Sequence, residues 1–284
     1  MKIVKFNRLT PQLKQEIEIL VSIVNKHDGT RASMKLDNSI QYYPEMDNLY
    51  LGYEGDTLVS AIKCFSILPA TIELSGYTHP EYRGKGFFKQ LLIQVYHEAR
   101  AYGYEDVWHI IDTGSEIGIE WTLRKGLAYQ KTEVVMSLVN YSSNKGPQGL
   151  FLKQFEDIEL PVLIQLHEEL FKLKRIFAEK YLNKVMNFKD KFFYALMDRE
   201  HILGIGGIYY ENEKAILYGI GIRERFRGNG YSKVLIDALI EEARNKGYCK
   251  IELEVDQDNQ VAYRLYKNIG FVDLYAAASY REVL

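Results

Sequence analysis

The sequence predicts an α/β protein of the α+β kind, built as two tandem copies of one fold, each a mixed, mostly antiparallel sheet flanked by helices. Three observations predict it. Two glycine loops, Arg83-Gly84-Lys85-Gly86 and Arg227-Gly228-Asn229-Gly230, lie 144 residues apart, and each leads into a long amphipathic segment. At the same offset Leu58-Val59 meets Ile202-Leu203, Glu98-Ala99-Arg100 meets Glu242-Ala243-Arg244, and Gly126-Leu127 meets Gly270-Phe271. A register held over that span marks a duplication. The third observation is length, since 284 residues divide into two domains of ordinary size.

Each element has its own signal. Residues 11–25 carry helical periodicity through Leu13, Ile17, Leu20, Val21 and Val24. Strands are expected at 49–53 and 58–67 around the turn Glu54-Gly55-Asp56, and at 71–78 running up to the first glycine loop. A helix over 86–102, a strand at 106–111, a short helix near 116–124 and a strand to about 139 complete the copy. The second copy reads as helical segments between 157 and 186, then strands at 192–197, 202–210 and 215–222. It continues with a helix at 230–246, a strand at 250–255, a helix at 260–268 and a final strand. Both copies are therefore expected to run α-α-β-β-β, glycine loop, α-β-α-β, with a right-handed parallel unit across the loop. The junction falls in the polar stretch from Tyr141 to Gly149, giving domains 1–142 and 150–284.

Composition excludes several classes. A chain 47% hydrophobic and 26% charged buries a core in each half, and a net charge of −2 carries no nucleic-acid footprint. No stretch approaches the ~20 apolar residues of a membrane span, and the chain opens on a strand-like run without an apolar signal segment. A cytoplasmic protein with neither membrane nor nucleic-acid partners is expected, with Cys64 and Cys249 as buried free thiols. The six histidines and two cysteines lack metal-ligand spacing, so no metal is expected, and Trp108 and Trp121 read as packing residues of the first copy.

Alternate glycines between a strand and a helix let successive backbone N–H groups converge at a helix N-terminus, a nest for phosphate. No Gly-Lys-Ser/Thr follows as in a P-loop, and Lys233 stands where a dinucleotide fingerprint needs its third glycine. Arg225-Phe226-Arg227-Gly228-Asn229-Gly230 instead resembles the Arg/Gln-x-x-Gly-x-Gly/Ala signature of the GNAT superfamily of N-acetyltransferases. Downstream, the run from Asn259 to Phe271 resembles that family's Asn-x-x-Ala-x-x-Leu-Tyr-x-x-x-Gly-Phe signature. The resemblance covers nearly the whole second copy, and the first by repeat, and implies acetyl-CoA as cosubstrate.

It also implies roles. Arg225, Phe226, Arg227, Gly228, Asn229, Gly230, Tyr231 and Ser232 would form the cradle for the coenzyme pyrophosphate. Ile220 and Ile222 would hold the thioester and pantetheine through their backbone, and Asn259 would cap its helix and meet the same arm. Arg83, Gly84, Lys85 and Gly86 are the corresponding candidates in the first copy. Tyr266 occupies the general-acid position, where a phenol of pKa near ~10 protonates a thiolate. Glu254, twelve residues earlier, resembles the base of ribosomal-protein alanine N-acetyltransferases, with Glu224 as its rival.

Shifting these positions by the offset separates the copies. Tyr266 falls on Thr122, Glu254 on Ile110, Asn259 on Ser115 and Arg225 on Glu81, while Tyr77 and Tyr82 are the substitute phenols available. The expectation is a catalytically silent first copy, and a second copy that acetylates a primary amine by direct attack through a tetrahedral intermediate. The acceptor is a small molecule or peptide, and the protein is a monomer or homodimer. A non-catalytic CoA-binding sensor and a transferase of a larger acyl group are the alternatives.

Overall fold

The computed structural model describes residues 2–142 and 149–284, so most of the expected junction lies outside the described residues. The first copy runs β1 (Lys2–Phe6), α1 (Pro11–Asp28), β2 (Leu49–Glu54), β3 (Thr57–Phe65), β4 (Thr71–Thr78), α2 (Phe87–Ala101), β5 (Asp106–Asp112), α3 (Glu116–Lys125) and β6 (Ala128–Leu138). The second runs β7 (Phe151–Gln154), α4 (Leu160–Phe171), α5 (Arg175–Val185), β8 (Lys191–Met197), β9 (Ile202–Glu211) and β10 (Lys214–Ile222). It ends with α6 (Tyr231–Asn245), β11 (Lys250–Asp256), α7 (Gln260–Ile269) and β12 (Phe271–Val283).

Local chemistry explains why these segments start and stop where they do. Thr10 caps α1 by accepting from the Leu13 amide, Pro11 sits at the first helical position, and Gly29 ends the helix in the left-handed region. Its buried face is Ile17, Leu20, Val21 and Val24, the stripe its periodicity predicts. The expected second helix of the first copy does not form. Residues 29–48 are irregular because side chains take the hydrogen bonds a helix would need. Asp112 accepts from the Arg31 and Ala32 amides at 2.9 and 2.8 Å, and Asn25 binds the Ala32 carbonyl at 2.9 Å.

The chain divides into two compact units, one comprising residues up to Glu133 with Tyr275–Leu284, the other Val134–Leu274. These limits differ from domains 1–142 and 150–284, because the last strands change places. In the first unit the strand order is β1-β2-β3-β4-β5-β12, and in the second it is β6-β11-β10-β9-β8-β7. By the repeat, β12 is the counterpart of β6. Yet the end of β12 pairs antiparallel with β5, from Ala277 opposite Asp112 to Val283 opposite Asp106. A strand whose N–H and C=O groups find ladder partners loses nothing by being supplied by the other copy.

Within each unit the sheet is mostly antiparallel, with parallel pairing at β4/β5 and at β10/β11. In the first unit, α2 packs on one face of the sheet through Leu91, Leu92 and Val95, and α1 on the other through Ile17 and Leu20. In the second, α6 buries Leu235, Ile236, Leu239 and Ile240 against β9 and β10. Cys64 is buried in β3 as expected, but Cys249 is exposed, since it lies in the turn ahead of β11 and not on an inward-facing strand position.

Candidate functional site

Both units open a wedge where the parallel pair comes apart. In the second unit β10 and β11 pair only from Lys214–Lys250 to Leu217–Leu253. Beyond that point β10 is irregular between Tyr218 and Gly221, with Gly219 at φ +57°, and the strands diverge. Ile220 and Ile222 lie on β10 past the last paired residue, and Glu254 is the first residue of β11 past it. The sequence therefore brings these three positions to the walls of one gap. Ile251, Leu253 and Val255 are buried, which leaves Glu252 and Glu254 on the other face of the strand. Glu252 is buried and held by Lys214 at 2.9 Å and Lys250 at 3.2 Å, whereas Glu254 is exposed.

At the mouth of the wedge the second glycine loop leads into α6. Gly228 and Gly230 take φ of +80° and +77°, and a Cβ at either would project into open space. No acceptor among the described residues is bonded to the amides of Gly228, Asn229, Gly230, Tyr231 and Ser232. A row of free N–H groups at the positive end of a fifteen-residue helix suits an anion. Loop side chains hold this shape. The Arg227 Nε donates to the Ile222 carbonyl at 3.1 Å, Asn229 donates to the Phe226 and Arg227 carbonyls, and the Arg225 guanidinium lies 4.6 Å over the Phe226 ring. No carboxylate among the described residues pairs with Arg225 or Arg227.

The start of α7 is capped by Asn259, whose Oδ1 accepts from the Ala262 amide at 3.2 Å. Two turns on, Tyr266 is 8% exposed and sits edge-on to Phe271. Burial pushes its phenol up to about 12, so it is protonated throughout the neutral range. Its hydroxyl makes no hydrogen bond to a described residue. Glu224 lies exposed in the short 3-10 turn after β10.

The first unit keeps the wedge and changes its lining. β4 and β5 pair from Thr71–Asp106 to Leu74–His109 and then part. The result is a cleft of about 640 Å³, bordered by Tyr77, Arg83, Phe88, His109 and Trp121 among others. Ser115 caps α3 as Asn259 caps α7, accepting from the Gly118 amide. Thr122, at the tyrosine's place, is fully buried and spends its hydroxyl on the Ile119 carbonyl at 2.7 Å. The substitute phenol Tyr77 donates its proton to the Ala32 carbonyl at 2.9 Å.

Arg83 repeats the bond of Arg227, its Nε donating to the Thr78 carbonyl at 3.2 Å, but its fork also grips Asp28 at 2.8 and 2.7 Å. Burial works against ionising Asp28, yet hydrogen bonds from Arg83 and His27 outweigh it and hold the carboxyl below its ordinary value. The second unit makes a comparable clamp from non-equivalent residues, Arg223 to Glu169 at 2.8–3.1 Å, and leaves its loop arginine open.

Sequence reasoning passed over the polar wall of this cleft. His109 is fully buried on β5, its Nε2 is 2.8 Å from Glu282 of β12, and the Tyr96 hydroxyl bonds the same carboxylate oxygen. The Trp121 ring lies 5.0 Å from the imidazole. A histidine within the apolar run Val107-Trp108-His109-Ile110-Ile111 was the available signal, while its partner lies 173 residues away and had none.

Two helix-capped wedges, each with a glycine loop at a helix N-terminus, define an acyltransferase-type scaffold. The acetyltransferase (GNAT) family model matches residues 21–117 and again 157–271, and the chain belongs to that family. A GCN5-related N-acetyltransferase from Sphaerobacter thermophilus superposes with a TM-score of 0.78 at 18% identity, covering 99% of this chain and 95% of that one. A tandem GNAT protein from the clavulanic acid biosynthesis pathway gives 0.73 at 13%, covering 99% and 98%. By sequence, the chain is 39% identical over 62 residues to an uncharacterized N-acetyltransferase, YycN, of Bacillus subtilis, 22% of this chain and 40% of that protein. It is 32% identical over 68 residues to the [ribosomal protein bS18]-alanine N-acetyltransferase of Haemophilus ducreyi, 24% of this chain and 47% of the relative. These matches span less than half of either relative's own length.

Proposed function

We propose that this protein transfers an acetyl group from acetyl-CoA to a primary amine, and that the second unit performs the reaction. The observation that carries the reading is Tyr266, a buried and protonated phenol with no competing hydrogen bond among the described residues, in the unit whose loop amides and loop arginines are also open. At its place in the first unit the Thr122 hydroxyl is already committed.

The residues divide the work as follows. The amides from Gly228 to Ser232 hold the coenzyme's phosphates, with Arg225 and Arg227 adding charge. The backbone of Ile220 and Ile222, unpaired on the β11 side, is available to the thioester arm, and Asn259 fixes the start of α7. An acceptor amine arrives as an ammonium and loses its proton to Glu254, directly or through water. Its nitrogen then attacks the thioester carbonyl, the C–N bond forms and the C–S bond breaks as Tyr266 gives its proton to the leaving thiolate; the positively charged nitrogen of the adduct gives up its second proton to the Tyr266 phenolate, and Glu254 returns its proton to water. The acceptor is a small molecule or a peptide N-terminus. We place the reaction in the cytoplasm, where Cys64 and Cys249 stay reduced.

Thiol release from acetyl-CoA against a panel of amines tests the reading. Tyr266→Phe should lower kcat by roughly 10²–10⁴, and an unchanged rate would remove the tyrosine from the chemistry. Glu254→Gln should cost about 10²-fold, with part of the loss recovered at high pH as the amine deprotonates in solution. A loss that does not respond to pH counts against the base.

A further inference from the structure

The far end of each unit, where α2 and α6 finish, holds a cluster of rings that the transfer chemistry does not use. In the second unit this cluster surrounds a cation of the chain itself. Lys246, the residue after α6, lays its Nζ over the rings of Phe192, Tyr210 and Tyr194 at 4.3, 5.2 and 5.9 Å. The same nitrogen donates to the Tyr194 hydroxyl at 3.2 Å and lies 3.3 Å from Glu242. Rings and a carboxylate complement an ammonium, because the negative face of a ring attracts positive charge.

The repeat puts Tyr102 in the place of Lys246, on nearly the same backbone, φ −91° and ψ 3° against φ −86° and ψ 4°. Glu98 stands for Glu242, Tyr50 for Tyr194 and Tyr104 for Tyr248. Asn48 and Ser66 replace the rings of Phe192 and Tyr210, and the irregular segment before β2 supplies Tyr42 and Tyr43 instead. Tyr43 lies 4.8 Å from Tyr42, 5.2 Å from Tyr102 and 5.7 Å from Tyr104, and the first three of these rings are partly exposed. The Tyr104 hydroxyl is buried and bonded to no described residue. The first unit has thus kept the carboxylate and dropped the ammonium. Glu98 is left with Lys5 at 3.8 Å, and the irregular segment adds Glu45 and Asp47, whose carboxylates pair with no cation among the described residues. Burial first, and then the charges of Glu45, Glu98 and Asp47, raise the Tyr102 phenol, so all three carboxylates act on that ring. They do not converge as metal ligands.

We propose that the far end of the first unit binds a small organic ammonium ion, which lies against Tyr43 and Tyr102 within the field of Glu45, Asp47 and Glu98. The ligand supplies the charge that Lys246 supplies in the second unit. The site is remote from the glycine loop, because α2 runs from that loop to Tyr102, and it is independent of acetyl transfer. Tyr50, whose counterpart accepts from Lys246, is fully buried and gives its hydroxyl to the Asp47 carbonyl at 2.9 Å. The groups within reach therefore act through ring faces and charge, which suits a weakly hydrated cation. Two sources share this chemistry, a quaternary ammonium such as choline and a protonated polyamine such as spermidine.

Titration calorimetry on the full-length protein at fixed ionic strength tests it. Choline and spermidine are titrated separately, and the one that binds more tightly identifies the source. Magnesium chloride at the same ionic strength should give no comparable heat. Tyr102→Lys copies the second unit into the first on a backbone that accepts lysine, and should weaken binding at least about tenfold by seating a cation of the chain. Glu45→Gln combined with Asp47→Asn should weaken it about tenfold, with less dependence on salt. Tyr102→Phe keeps the ring face and should bind within about twofold of the parent chain. Circular dichroism confirms that each variant is folded. If neither cation gives saturable heat, if magnesium gives the same heat, or if folded Tyr102→Lys binds as tightly as the parent chain, the proposal is overturned.

Discussion

The two glycine loops are nearly superimposable in conformation and differ in what their arginines are doing. Arg83 and Arg227 both brace the loop through Nε to a strand carbonyl, but Arg83 spends the rest of its fork on Asp28 and Arg227 does not. The second unit builds its clamp to the first helix from Arg223 and Glu169 instead. Two solutions to one packing problem leave one loop neutralised and the other electropositive. A buried polar group is similarly displaced, a histidine on the fifth strand of one unit standing against a phenol on the last helix of the other. Duplication preserved the backbone that makes a wedge, and the chemistry on its walls diverged.

The largest expected effect that would break this comparison is in catalysis. Tyr266→Phe and Thr122→Ala should differ by roughly 10²–10⁴ in kcat, the first severe and the second silent. Equal effects would dissolve the asymmetry. Next in size is stability. Removing Tyr275–Leu284 strips the partner strand from β5 and takes Glu282 with it, so the first unit should lose its cooperative melting transition while helices of the second persist. Circular dichroism and tryptophan fluorescence on heating distinguish this from a dispensable tail.

A smaller effect concerns the clamp. Asp28→Asn removes the charge-assisted fork of Arg83 and should cost about 1–3 kcal/mol in urea unfolding of the first unit. It should also free the loop arginine, making the first loop resemble the second. The finest test uses pH. The lowered carboxyl of Glu282 adds stability that is fully present above the ordinary glutamate value and is lost as pH falls through its own, lower value. The phenol of Tyr266 behaves oppositely: its raised value, about 12, keeps it protonated beyond pH 10. An alkaline limb of kcat near 10 would contradict its burial, and acid loss of the Trp121 environment above the ordinary glutamate range would contradict the Glu282 assignment.

Much of this was legible in the chain. Alternation and caps located nearly every element, because helix and strand periods are written locally in residues such as Ile17, Leu20 and Val24. The expectation for Gly228, Gly230, Asn259 and Tyr266 came from the resemblance of two sequence signatures, and the structure puts the glycines at the start of α6, Asn259 at the cap of α7 and Tyr266 within it. The irregular 29–48 segment was not legible, because several of its amides bond remote partners, Arg31 and Ala32 to Asp112, Tyr42 to Ser66 and Asn48 to Phe6.

By itself, then, the sequence determined that one fold is written twice, where each glycine loop opens its helix, and which copy retains a phenol. Only the tertiary structure decided that the last strands change places, so that the first unit is not a continuous stretch of chain. It also decided that His109 meets Glu282, and that Arg83 is bound while Arg227 is open. The physical reason is common to all three. Periodicity and capping act between near neighbours and leave a trace in order and spacing. Ladder pairing and ion pairing depend on which groups meet in space, and a strand edge or a guanidinium accepts a partner from either copy.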